Sequence, residues 1–218
     1  MSRKQQICWV LGMTGCLLVF MLLTGAYVWG WGTAEVDQTF GSGLVTRVKP
    51  LTHDIFAVIT ILGDTNFVTV VTVLISLVFI IKKLWHQLAI FLPAILSGWQ
   101  LNNILKDLIA RPRPVYPEAV HHMTSFSFPS GHAMISVALF GSLAYILLPY
   151  LKTKAARRAL LVGAVLLTLL VGFSRLVLGV HYLTDIAAGF AFSGFLLLLI
   201  LFADQWEWFR RPPLNRLY

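Results

Sequence analysis

Apolar residues along this chain come in long blocks, not in the alternating or 3.6-residue stripes that mark elements with one wet face. Six blocks approach or exceed the length of about 18 residues that a membrane-spanning helix needs: residues 7–29, 66–81, 85–105, 131–148, 159–178 and 183–202. The pattern predicts an all-α fold, a bundle of six transmembrane helices, with one domain occupying residues 1–218. A shorter apolar run over residues 55–62, ended by Gly63 and Asp64, cannot span and reads as an interfacial or re-entrant segment. The first block follows Arg3 and Lys4 and is longer than a secretory signal core, so it is expected to stay as an anchor.

Composition agrees. Charged residues make up 12% of the chain and hydrophobic ones 58%, whereas a soluble domain carries about 25% charged residues. The two cysteines, Cys8 and Cys16, fall in the first block. Eight positions on a helix separate them by about 12 Å along the axis, too far for a disulfide.

The net charge of +8 is informative only through its distribution. Arg3 and Lys4, then Lys82 and Lys83, then Lys152, Lys154, Arg157 and Arg158, then Arg210, Arg211 and Arg216 occupy alternate connections. The positive-inside rule assigns that side to the cytoplasm, with both termini there. No soluble stretch carries a basic stripe interleaved with aromatics, so nucleic acid is not an expected partner. Arg47, Lys49, Lys106, Arg111, Arg113 and Arg175 fall on the opposite side. Four of these six lie close to span ends, where charge is costly and usually serves a function.

Three clusters share that outer side. Lys106 through Pro114 closes the third block, and Pro112 and Pro114 push the residues before them out of helical geometry. Two cations of different reach, Lys106 and Arg113, suit a phosphate, although a basic edge touching lipid headgroups would look the same. Phe128, Pro129, Ser130, Gly131 and His132 stand directly before the fourth block. Ser130 is a natural N-cap, Gly131 lets a ligand approach the backbone, and a helix starting here aims free N–H groups at an anion. An ordinary capped helix start with an interfacial histidine is the plainer alternative. Ser174 and Arg175 precede His181 and Asp185. Four apart at a helix start, His181 and Asp185 would share a face, the carboxylate taking one imidazole N–H and leaving the other nitrogen free to attack. A helix-stabilising pair beside a snorkelling arginine is the competing account. Because each cluster ends a different span, a bundle could converge them into an anion cradle with two histidines and one carboxylate, which suffices for phosphoryl transfer.

Other residues carry less. His121 and His122 have no carboxylate partner in sequence, and His53 and His86 read as interfacial. Trp29, Trp31, Trp85, Trp206 and Trp208 fit interfacial aromatic belts. No grouping of Cys, His and carboxylates has metal-ligand spacing.

Lys106 through Arg113 and Pro114, then Pro129, Ser130, Gly131 and His132, then Ser174, Arg175, His181 and Asp185 together resemble the three-part signature of the type 2 phosphatidic acid phosphatase superfamily, in its membrane branch. The resemblance implies that His181 attacks phosphorus to form a phosphohistidine, oriented by Asp185. It implies that His132 protonates the leaving oxygen and then helps activate water. Lys106, Arg113, Ser130, the Gly131 backbone and Arg175 would hold the phosphate oxygens, with no metal or other cofactor. Arg111 lies outside the signature and is left as a headgroup contact. The small bacterial members act on phosphatidylglycerol phosphate, phosphatidic acid or undecaprenyl pyrophosphate, which makes a lipid phosphate in the cytoplasmic membrane the expected substrate and the outer face the expected location of the site. The segment over residues 30–65 is expected to lie as a loop over that site. A lipid phosphotransferase using the same phosphohistidine is the alternative enzyme. A lipid transporter is the non-enzymatic alternative, disfavoured because no polar ladder runs through the spans.

Overall fold

In the computed structural model, which describes residues 2–115 and 125–206, every element is helical. The eight α-helices are α1 (Arg3–Val28), α2 (Thr33–Val45), α3 (Pro50–Ile59), α4 (Thr65–Ile81), α5 (Trp85–Ile109), α6 (Gly131–Leu147), α7 (Lys154–Val177) and α8 (Leu183–Gln205). Five of them, α1, α5, α6 with its 3₁₀ extension Leu148–Tyr150, α7 and α8, are each long and apolar enough to cross a membrane. A sixth crossing appears if α3, its 3₁₀ continuation Thr60–Gly63 and α4 count as one span broken by a 43° bend. His121, His122, Trp208, Arg210, Arg211 and Arg216 lie outside the described residues.

The segment over residues 30–65 is not a loop. It contains α2 and α3, joined to α4 through the 3₁₀ turn. Pro50 takes the first helical position of α3, where its missing N–H costs nothing. Asp64 caps α4 by accepting the N–H groups of Asn66 and Phe67 at 2.9 and 3.3 Å. The apolar run before Gly63 is thus the first half of a bent element, too short to be read as a span alone.

α6 is central, touching α5, α7 and α8, while α1 lies along α8. The interior reverses the order of a soluble protein. Leu11, Leu22, Val70, Val162 and Leu166 point outward and exposed, whereas Asp37, Asn102, Arg111, Arg175, His181 and Asp185 are buried. Outward apolar surface is what a hydrocarbon surround accepts, and buried charge in such a bundle marks function. An apolar cluster of Val68, Ile90, Phe91, Ile95, Leu139 and Leu201 fills the other half of the bundle. The end of α5, the start of α6, the end of α7 and the start of α8 meet at one end of the bundle, bringing the three sequence clusters together.

Candidate active site

Each functional side chain is placed by a local break in a helix. At the end of α5, Ala110 adopts left-handed geometry at φ 49°, and its N–H closes on the Lys106 carbonyl at 2.8 Å. The chain then runs extended, with Arg111 and Pro112 carbonyls accepting from Ser127. That pairing holds the stretch leading into Ser130 against the stretch carrying Arg113. Asn102, one turn before Lys106, donates to the Pro129 carbonyl at 3.0 Å. Gly131 suits this position because a Cβ would stand 2.9 Å from the Asn102 side-chain oxygen Oδ1.

α7 ends in a turn through Gly179, at φ 68°. The N–H groups of Leu178, Gly179 and Val180 return to the last carbonyls of that helix, as in a Schellman-type end. His181 therefore sits in the connection ahead of α8 and not on the helix itself. Its link to Asp185 is an N-terminal capping geometry. Asp185 Oδ2 accepts the Tyr182 N–H at 2.9 Å and faces His181 Nδ1 at 3.3 Å. The sequence spacing predicted the pair, while the face-sharing helix it was expected to use begins two residues later.

The tautomer follows from the neighbours. Arg113 Nη1 stands 3.2 Å from His181 Nε2, and a guanidinium can only donate. Nε2 is thus the lone-pair nitrogen and Nδ1 carries the proton toward Asp185. Burial, followed by the charges of Arg113, Arg175 and Lys106, holds the imidazole well below the ordinary histidine value. At neutral pH this side chain is an uncharged base surrounded by cations.

His181, His132, Lys106, Arg113, Gly131 and Arg175 all line one cavity of about 460 Å³. Ser130 and Asp185 lie behind its wall, both fully buried. From the cationic end the cavity continues between α4 and α5 along Val68, Val73, Leu92, Ile95, Leu96 and Trp99. Two polar atoms at the cationic end, Ser130 Oγ and Arg175 Nε, are buried without a hydrogen-bond partner. Each such group costs about 1–3 kcal/mol, a cost that an anion accepting from both would offset. Ser130 starts α6 by position but makes no side-chain cap bond, so its hydroxyl is left over for another acceptor. The remaining Arg175 reach is fixed by Thr60, whose Oγ1 accepts from Nη1 at 2.8 Å. Among the described residues, no group of three or more His, Cys, Asp or Glu is placed to hold a metal ion.

Three residues outside the three-part signature complete the surroundings. Arg111, expected at lipid headgroups, is instead 4% exposed. It donates to Asp185 Oδ1 at 2.7 Å and to Asp37 Oδ2 at 2.6 Å, and stacks between the Tyr27 and Tyr182 rings. Asp37, from α2, also accepts the Thr184 N–H and hydroxyl at 3.0 and 2.6 Å. Removing one member of a buried ion pair costs about 3–5 kcal/mol, so this cluster also ties α2 to α8. Gly63 backs onto His132, whose Cβ would lie 3.3 Å from any Cβ added there.

Comparison with known proteins identifies the family. Residues 67–210 match the PAP2 superfamily. Phosphatidylglycerophosphatase B of Bacillus subtilis is 32% identical over 193 residues, covering 87% of this chain and 93% of that protein. Lipid A 1-phosphatase of Rhizobium etli is 33% identical over 124 residues, covering 53% of this chain and 49% of that one. The crystal structure of a transmembrane PAP2-type phosphatidylglycerolphosphate phosphatase from Bacillus subtilis superposes with a TM-score of 0.81 at 30% identity, over 92% of this chain and 98% of its own. The chain belongs to the PAP2 superfamily, as a multi-pass membrane phosphatase.

Proposed function

We propose that the protein hydrolyses a lipid phosphate monoester or diphosphate through a phosphohistidine on His181, as a single membrane phosphatase domain. The observation that carries the reading is one cavity joining the lone-pair nitrogen of His181, met only by a donor from Arg113, and three cations to an apolar crevice between α4 and α5. The cationic end suits a phosphate and the crevice suits a hydrocarbon tail. Lys106, Arg113, Arg175, the Ser130 hydroxyl and the Gly131 N–H would hold the phosphate oxygens. The His181 Nε2 lone pair forms the N–P bond as the bond from phosphorus to the leaving oxygen breaks. His132 gives that oxygen its proton. Water then attacks phosphorus, passing a proton back to His132, and the P–N bond breaks to release inorganic phosphate and free His181.

Charge placement supports a cytoplasmic position for both termini and an outward-facing site in the cell membrane. Lys82, Lys83, Lys152, Lys154, Arg157 and Arg158 flank the end of the bundle opposite the cationic end of the cavity. Phosphatidylglycerol phosphate, phosphatidic acid and undecaprenyl pyrophosphate are the candidate substrates, the first by likeness to the Bacillus subtilis relative. The test is phosphate release from each of the three by purified protein in excess chelator, with a radiolabelled arm containing acceptor lipids. Release of inorganic phosphate from at least one lipid is expected. No release from any of them, or label recovered on the acceptor in place of free phosphate, overturns the hydrolase reading.

A further inference from the structure

The side of Asp185 that faces away from His181 carries a second set of charges. Arg111 does not line the substrate cavity. It borders a separate hollow with Tyr27, Gln38 and Tyr182, so it cannot serve as a phosphate ligand. What it touches is the nucleophile's own partner. Asp185 is shared, with Oδ2 toward His181 and Tyr182 and Oδ1 toward Arg111 Nη1. Arg111 Nη2 is taken in turn by Asp37. Thr184 closes the cluster, its hydroxyl donating to Asp37 and accepting from Arg111.

We propose that Asp37 and Arg111 are positioning residues for catalysis, forming with Asp185 an ion triad whose net negative charge orients His181 and offsets the charge it gains on attack. Two carboxylates against one guanidinium leave a net charge of −1. When Nε2 bonds to phosphorus, the ring becomes cationic with its Nδ1–H still directed at Asp185. A lone Asp185–Arg111 pair would be neutral and would stabilise that cation less. Asp37 restores the negative charge from a helix outside the signature, while Arg111 and the two tyrosine rings keep Asp185 from turning away.

The inference rests on His181 being the nucleophile, and it makes signed predictions. Around His181 the other charged or titratable groups are Lys106 from α5, Arg113, His132 from α6, Arg175 from α7, Tyr182, and Asp64 across the cavity at the start of α4. None of these changes in the variants that follow. Asp37→Asn removes a negative charge, so neutral His181 persists to lower pH and the acid limb of kcat/KM moves down. Arg111→Gln removes a positive charge, so the same limb moves up. A merely structural role would move both limbs together or neither.

The experiment measures phosphate release from dioleoyl phosphatidic acid by purified full-length variants in mixed micelles, between about pH 4 and pH 9. Both variants are expected to lose roughly ten- to a hundredfold in kcat with a smaller change in KM, and their acid limbs should shift in opposite directions. Thr184→Val, which removes hydrogen bonds but no charge, should leave the limb in place. If one charge variant does not fold, as judged by monodisperse elution, the other decides by the sign of its shift. Limbs that coincide with wild type, move the same way, or move equally in Thr184→Val overturn the proposal. A His181→Ala control separates the two readings. Activity remaining in it defeats the nucleophile assignment, whereas an inactive control beside unshifted Asp37 and Arg111 variants defeats the triad alone.

Discussion

Two histidine–aspartate contacts stand at opposite ends of this bundle, and they differ in what surrounds them. At the cavity end, His181 Nδ1 meets Asp185 at 3.3 Å, with side chains 2% and 0% exposed. At the other end, His86 Nε2 meets Asp204 at 2.5 Å, but His86 is 62% exposed. The shorter contact belongs to the more exposed histidine. His86 joins the start of α5 to the end of α8, where Tyr145 also donates to Asp204 and Gln205 meets Tyr145. It works as a clasp between helix ends. His181 has a longer contact, but its second nitrogen keeps a lone pair toward the Arg113 guanidinium, with three cations around it and a cavity that it lines. What suits His181 to the proposed role of nucleophile is the lone pair and the cavity on one side of its ring, not how tightly the other side is held.

Substitutions can break that contrast from its strong end downward. His181→Ala should abolish phosphate release, by at least about a thousandfold, while the protein still inserts and elutes as wild type. His132→Ala should cost roughly a hundred- to ten-thousandfold on a lipid substrate. The loss should shrink when the leaving group is an activated phenol that needs no protonation. Equal losses on both substrates would remove His132 from the acid role. His86→Ala should leave kcat/KM within about twofold and lower the thermal midpoint by a few degrees at most. A large activity loss there would mean that the clasp end is coupled to the site.

Two features are legible in the sequence, the helical architecture from long apolar blocks and the convergence of the clusters from local motifs. Lys106, Arg113, Gly131, His132, Arg175 and His181 were named from their clusters, and the structure places them along one cavity. The all-helical architecture followed from block length. What stayed hidden was α2. Its buried positions are Asp37, Gly41 and Val45, one face of a helix anchored by a carboxylate, so hydrophobic periodicity had nothing to detect. Arg111 was misplaced for a related reason. Its partners Asp37 and Asp185 lie 74 residues away on either side, and no spacing rule reaches that far. The break before α4 accounts for the short apolar run ahead of Gly63, because a bent pair of helices presents two short runs where a straight span shows a single long block.

That bend reaches further than its geometry suggests. The stretch from α2 to the start of α4 hands three separate parts to the phosphate end: Asp37 to Arg111, Thr60 to Arg175, and the bare backbone of Gly63 to the flank of His132. None of the three belongs to the signature, yet each touches a residue that does or its immediate support. The segment is therefore built into the surroundings of the cavity and is not an exchangeable cover. A chimera that keeps every signature residue but imports another relative's version of this stretch would have to bring matching partners for all three at once.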